Sequence, residues 1–128
     1  MAGMATVLVI EDNDDIRLLL ESLLSLSGYQ VIQADGGPEA LALLGEIQVT
    51  PDLAILDVEM PDLSGWEVLR AIRADPATTD LPVILCTVRG SAADLDRGRA
   101  LRCDGYLQKP FDVDDLIAEV SGVIDLRG

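Results

Sequence analysis

The chain has 128 residues, the length of one domain, and 49% of them are hydrophobic, ample for a single core. Nine basic residues against 23 acidic ones leave a net charge of −14, which argues against a nucleic-acid surface because phosphate contacts need clustered Lys and Arg. Histidine is absent, which removes the usual general base, the usual transition-metal ligand and any phosphohistidine from this polypeptide.

No apolar run approaches the roughly 20 residues needed to span a bilayer. The opening MAGMAT also lacks the charged and apolar regions of a signal peptide, so a cytoplasmic location without membrane contact is expected. Cys86 lies in an apolar run and Cys103 in a connecting segment, and both read as isolated thiols rather than a disulfide or metal site.

Taken in order, residues 6–10 (TVLVI) form a continuous Val/Ile/Leu run, as a strand covered on both faces must. Asn13 or Asp14 can cap a first helix in which Ile16, Leu20, Leu23 and Leu24 have core spacing. Leu18 and Leu19 widen its apolar arc, either as a broad buried face or as a docking edge for a partner. Residues 30–33 are a weaker strand candidate, and Gly37-Pro38 opens a second helix. Residues 53–56 (LAIL) form a second strong strand, running into Asp57, and Ser64 with Glu67 offers a capping box for a third helix. A third strong strand, 82–86 (PVILC), runs into Thr87. Ser91 caps a fourth helix that carries Gly98 inside it, at a cost of about 1 kcal/mol relative to alanine. Residues 105–107 form a second weak strand before Lys109, and Asp112 caps a last helix striped with Leu116, Ile117, Val120 and Ile124.

Five-fold β-α alternation of this length predicts an α/β protein, a flavodoxin-like (βα)5 doubly wound sandwich with a five-stranded parallel sheet of order 2-1-3-4-5. Ligands in such sheets bind beyond the carboxyl ends of the strands, at the point where strand order reverses. Glu11, Asp12, Asp57, Thr87 and Lys109 all occupy strand carboxyl ends, and each alone would mean little. Together they predict a small acidic site. Three converging carboxylates repel one another unless a cation neutralises them, and an all-oxygen set suits Mg²⁺. Asp57 is the candidate nucleophile for an acyl phosphate, with the Lys109 ammonium neutralising phosphoryl oxygens and the Thr87 hydroxyl donating to one.

The segments VLVIEDN, LAILDVEMPDLSGWEVL, PVILCT and GYLQKPF, in this order, resemble the receiver domains of two-component response regulators over essentially the whole chain. The resemblance implies that Asp57 is phosphorylated by a histidine kinase or histidine phosphotransfer protein, with Mg²⁺ held by Asp12, Asp57 and the Glu59 backbone carbonyl, and by Glu11 through water. It also implies a switch in which Thr87 moves to the phosphoryl group and the Tyr106 ring turns inward. A changed surface of helix 4, strand 5 and helix 5 then regulates a downstream target, and the Lys109-Pro110 bond is cis. A single receiver without an output domain is expected, catalysing only its own phosphorylation and dephosphorylation. It would be a monomer or a phosphorylation-dependent dimer that contacts neither nucleic acid nor membrane. The competing readings are an Mg²⁺-dependent aspartyl-phosphate phosphatase, with Glu59 as acid/base, and an unphosphorylated receiver-like binding module.

One residue departs from the resemblance at the site mouth, and two more flank the same opening. Val88 stands where relatives carry a small residue, and Glu59 and Arg89 are positioned to pair across the opening. Arg102 likewise stands where relatives often have a turn glycine. If Val88 narrows the approach to Asp57, Val88→Ala will speed both phosphorylation by small donors and hydrolysis. Equal rates in the two chains, followed by intact mass over time, would sink the idea.

Overall fold

The computed structural model describes residues 5–46, 50–88 and 91–127. The elements alternate as β1 (Thr6–Ile10), α1 (Asp14–Leu26), β2 (Gln30–Ala34), α2 (Gly37–Glu46), β3 (Leu53–Asp57), α3 (Gly65–Ala74), β4 (Val83–Thr87), α4 (Ala92–Ala100), β5 (Gly105–Gln108) and α5 (Val113–Arg127). The sheet order is β2-β1-β3-β4-β5 with every pair parallel, as the alternation requires. Asp57 and Thr87 prove to be the last residues of their strands: Asp57 is in register with Cys86, and Thr87 with Gln108.

Alternation along each strand sorts the core into two layers. Val7, Val9, Leu53, Ile55, Ile84, Cys86 and Leu107 pack with Leu20 and Leu24 of α1 and with Leu116, Val120 and Val123 of α5. Leu8, Ile10, Ala54, Leu56, Val83 and Leu85 face the other way, onto Ala40 of α2 and Val68, Leu69 and Ile72 of α3. Each fully buried Leu, Ile or Val contributes about 1.5–3 kcal/mol, so the two layers hold the strand ends in fixed relation. In α1 the arc is narrower than a broad buried face. Leu18 and Leu19 are 53% and 56% exposed, and only Leu20 and Leu24 are buried, with Ile16 and Leu23 partly covered.

Local signals start the helices as expected. Asn13 accepts the Ile16 N–H at 3.0 Å, Ser91 the Asp94 N–H at 3.1 Å, and Asp112 the Asp115 N–H at 2.8 Å. Ser64 accepts the Glu67 N–H at 3.3 Å, and its hydroxyl donates to Glu67 Oε1 at 3.3 Å, so the pair closes through the side chains.

Gly98 is a packing residue. It is buried, and a Cβ there would sit 3.0 Å from Cys103 Sγ and 3.4 Å from Leu85 Cδ1, so its absence lets α4 lie close to the sheet. The helix ends with the Cys103 N–H on the Gly98 carbonyl (3.0 Å) and the Arg102 N–H on that of Arg99 (2.9 Å), a Schellman closure. Arg102 holds the left-handed position of this turn, with φ 59°. The neighbouring Arg73 guanidinium, mostly buried, binds the carbonyls of Thr79, Leu81, Leu101 and Arg102 and stitches α3 to this turn.

A non-glycine residue in left-handed backbone costs roughly 1–2 kcal/mol. The exposed Arg102 contacts to Thr79 (3.1 Å) and Asp80 (3.8 Å) offset less than that. Arg102→Gly is therefore expected to raise the thermal midpoint by a few degrees in circular dichroism. A lowered midpoint would mean that the side-chain contacts outweigh the backbone strain.

Candidate functional site

The acidic site is built at the carboxyl edge of the sheet. Beyond β1, the Glu11 N–H still donates to the Ala34 carbonyl at 3.1 Å, so Glu11 remains tied to β2 while its side chain turns inward and is buried. Arg17 of α1 holds the Glu11 carbonyl at 2.8 Å, and the Asn13 N–H reaches Glu11 Oε2 at 3.2 Å. Asp57 and Thr87 are buried at the ends of β3 and β4, and Asp12 is exposed at the rim. Oxygens of Glu11, Asp12 and Asp57 lie within 4.8 Å of one another.

Lys109 enters from beyond β5, across a cis bond to Pro110, with its own N–H on the Thr87 carbonyl at 2.7 Å. Its ammonium lies 3.0 Å from Glu11 Oε1 and 3.2 Å from Asp57 Oδ1. The Glu59 N–H donates to the same Asp57 oxygen at 3.1 Å, so two donors fix the carboxylate through Oδ1.

Burial pushes the Glu11 carboxyl above its ordinary range, and the neighbouring Asp57 adds to the shift. The bonds from Lys109 and the Asn13 N–H offset this only in part. Asp12 is also raised, by desolvation and then by Glu11. For Lys109, burial works against the ammonium, but the attraction of Glu11 and Asp57 outweighs it and the pKa rises. Cys86, in register with Asp57, is pushed by burial up to about 12. A crowded all-oxygen donor set whose charge is disfavoured, open to water on the Asp12 side, fits a hard divalent ion that keeps some of its waters.

The five strand-end residues therefore meet, except that the Thr87 hydroxyl is turned elsewhere. It donates to Glu59 Oε1 at 2.6 Å, and the Val88 N–H reaches Glu59 Oε2 at 3.4 Å. Arg89 lies outside the described residues, and Val88 is 56% exposed beside the opening. Tyr106 is partly buried against the same layer as α3 and lies beside Gly98.

Two structural supports carried little sequence signal. Gly65, the first residue of α3, has no room for a side chain: a Cβ would collide with the Asp57 carbonyl and come 2.6 Å from Val58 Cα. Its N–H donates to the Val58 carbonyl at 3.0 Å, and a glycine straight after a Ser cap was the only hint. Arg97 of α4 stacks over Trp66 of α3, 4.6 Å from the ring centroid, a long-range contact that spacing does not announce.

A parallel sheet of this order, with an acidic cluster bridged by a lysine at its carboxyl edge, defines a flavodoxin-like α/β protein built around an anionic, cation-seeking centre. Residues 7–121 match the response regulator receiver domain, and the chain belongs to that family. It is 42% identical over 92% of its length to a probable transcriptional regulator, ycf27, of Guillardia theta, covering 44% of that protein. It is 36% identical over 94% of its length to the DNA-binding dual master transcriptional regulator RpaA of Synechocystis, covering 49%. The chain thus spans about half the length of the curated relatives it matches. Among solved structures, the Vibrio cholerae chemotaxis protein CheY4 superposes with a TM-score of 0.88 at 32% identity, covering 94% of this chain and 99% of that one. Because one relative is named as DNA-binding, the exclusion of nucleic acid drawn from net charge is not supported. No helix among the described residues is long and apolar enough to cross a membrane.

Receiver domains generally bind Mg²⁺ through acidic residues, and Glu11, Asp12 and Asp57 supply such a set. A raised pKa means that the folded protein holds the proton more tightly, so ionising Glu11 and Asp12 costs stability as pH rises. The metal needs the ionised forms. Mg²⁺ is therefore expected to raise the thermal midpoint at about pH 7 and to lose that effect at acid pH, sooner on acidification than ordinary carboxylates would. An equal Mg²⁺ shift at neutral and at acid pH would contradict the assignment.

Proposed function

We propose that this chain is a phosphorylation-driven signalling switch in which Asp57 accepts a phosphoryl group from a histidine kinase or histidine phosphotransfer protein. The observation that carries the reading is the buried Asp57 carboxylate, oriented through Oδ1 by Lys109 at 3.2 Å and the Glu59 N–H at 3.1 Å, beside two further acids. Asp57 attacks the donor phosphorus, forming a P–O bond as the P–N bond to the donor imidazole breaks. The departing nitrogen keeps the electron pair and takes up a proton. Lys109 holds a fixed positive charge beside the attacking group, and the Thr87 hydroxyl supplies a hydrogen bond to the transferred group. Asp12, Asp57 and the Glu59 carbonyl, with Glu11 through water, would hold Mg²⁺, which would supply charge neutralisation at the phosphoryl oxygens. Hydrolysis of the acyl phosphate by water returns the carboxylate, so the chain catalyses only its own modification.

The added charge of about −1.5 to −2 draws Thr87 toward Asp57 and Tyr106 inward, changing the surface of α4, β5 and α5 that a target reads. That target is either a partner protein or a further domain. Curated relatives about twice as long are named transcriptional regulators, and the chemotaxis protein CheY4 matches this chain over nearly its full length. A cytoplasmic location, and a monomer that dimerises at most on phosphorylation, belong to the same reading.

Incubation with Mg²⁺ and acetyl phosphate is expected to add one phosphoryl group, read by intact mass, to the original chain and none to Asp57→Ala. Lys109→Ala should slow the addition by about 10²-fold, the scale for losing one stabilising group at an anionic transition state. An adduct of the same size on Asp57→Ala would remove Asp57 from the role.

A further inference from the structure

Glu59 grips the ends of two neighbouring strands at once. Its N–H donates to Asp57 Oδ1 at the end of β3, and its carboxylate takes the Thr87 hydroxyl at 2.6 Å and the Val88 N–H at 3.4 Å at the end of β4. The Oγ1–Oε1 distance is that of a charge-assisted O–H···O⁻ bond. Thr87 is only 1% exposed, whereas Glu59 reaches in from the surface. Here the carboxylate occupies the proton that the proposed mechanism needs.

We propose that Glu59 is a positioning residue that latches Thr87 in its resting place and competes with the phosphoryl group for the Thr87 hydroxyl. The inference rests on the reading of Asp57 as phosphoacceptor. A threonine hydroxyl has one proton to donate, so it cannot serve Glu59 and a phosphoryl oxygen together. Phosphorylation must break the Glu59 bond before Thr87 can move. Glu59 therefore sets how far the unmodified chain leans toward the resting arrangement and how firmly an acyl phosphate, once formed, is held. The same residue thus orients the attacking carboxylate through its backbone and restrains the switch through its side chain.

The test is beryllofluoride binding in the presence of Mg²⁺, followed by Trp66 fluorescence, in the original chain, Glu59→Ala, Thr87→Val and the double variant. Removing the latch is expected to tighten binding about tenfold when Thr87 is present, the scale of one hydrogen bond to a charged group, and by less than about twofold when position 87 lacks a hydroxyl. An equal gain in both backgrounds would mean that the carboxylate only repels anions at the mouth, and would overturn the latch. No gain in either would overturn it too. Ionic strength gives a second arm that does not depend on Thr87→Val folding. The gain from Glu59→Ala should persist at about 0.5 M salt, because a direct hydrogen bond is not screened. Loss of the gain there would again leave only repulsion. Failure of every chain, the original included, to bind beryllofluoride and to form the acetyl phosphate adduct would instead overturn the phosphoacceptor reading, and the latch with it.

Discussion

Three carboxylates crowded within 4.8 Å at the end of a parallel sheet form an arrangement that the fold must hold against its own repulsion. Burial makes the problem worse for Glu11, because a desolvated charge has little water to screen it. Lys109 answers part of it by lying between Glu11 and Asp57, and its ammonium is held charged by the two acids it serves. The remainder of the negative charge gives the site its appetite for a cation or for a group that reorganises it. The sheet supplies the rigidity that keeps the acids together. Both of its faces are covered by close-packed Val, Ile and Leu, so the ends of β1, β3 and β4 cannot drift apart to relieve the strain.

Much of this was readable from residues because the underlying causes are local. Strands covered on both faces must be apolar throughout, so β1, β3 and β4 stood out, whereas the edge strands β2 and β5 carry more exposed residues and gave weaker signals. Asn13, Ser64, Ser91 and Asp112 cap helices within their own first turns, where sequence distance and spatial distance agree. The topology then brings the strand-end residues together without further information. What escaped depends on distances between elements. Whether Leu18 and Leu19 are covered depends on the angle at which α1 crosses the sheet, and periodicity does not set that angle. The Glu59–Thr87 bond joins residues from two strand ends, and only the packed structure reveals that the carboxylate reaches the hydroxyl. Gly98, whose apparent meaning in sequence was a weak helix, turned out to permit close contact.

Helix α4 is attached by means of unequal strength. At its carboxyl end, the Schellman turn and the Arg73 guanidinium bind carbonyl groups of the turn and of the segment before β4. Along its length it depends on the glycine-sized gap over Cys103 and Leu85 and on Arg97 lying over Trp66. A cation–π contact whose cation is at the surface is worth about 0.5–1 kcal/mol, less than four hydrogen bonds from one guanidinium taken together. Helix α4 is thus anchored more firmly at its carboxyl end than along its flank.

The thiol of Cys86 lies one strand away from Asp57, in register with it, yet burial raises it to about 12. At neutral pH the group is therefore held as the neutral thiol, a poor nucleophile. Oxidants and electrophiles that modify low-pKa cysteines find almost nothing to attack beside the acidic centre. Burial thereby insulates the acidic centre: a sulfur sits one strand away from Asp57, yet it is kept as the neutral, weakly reactive thiol.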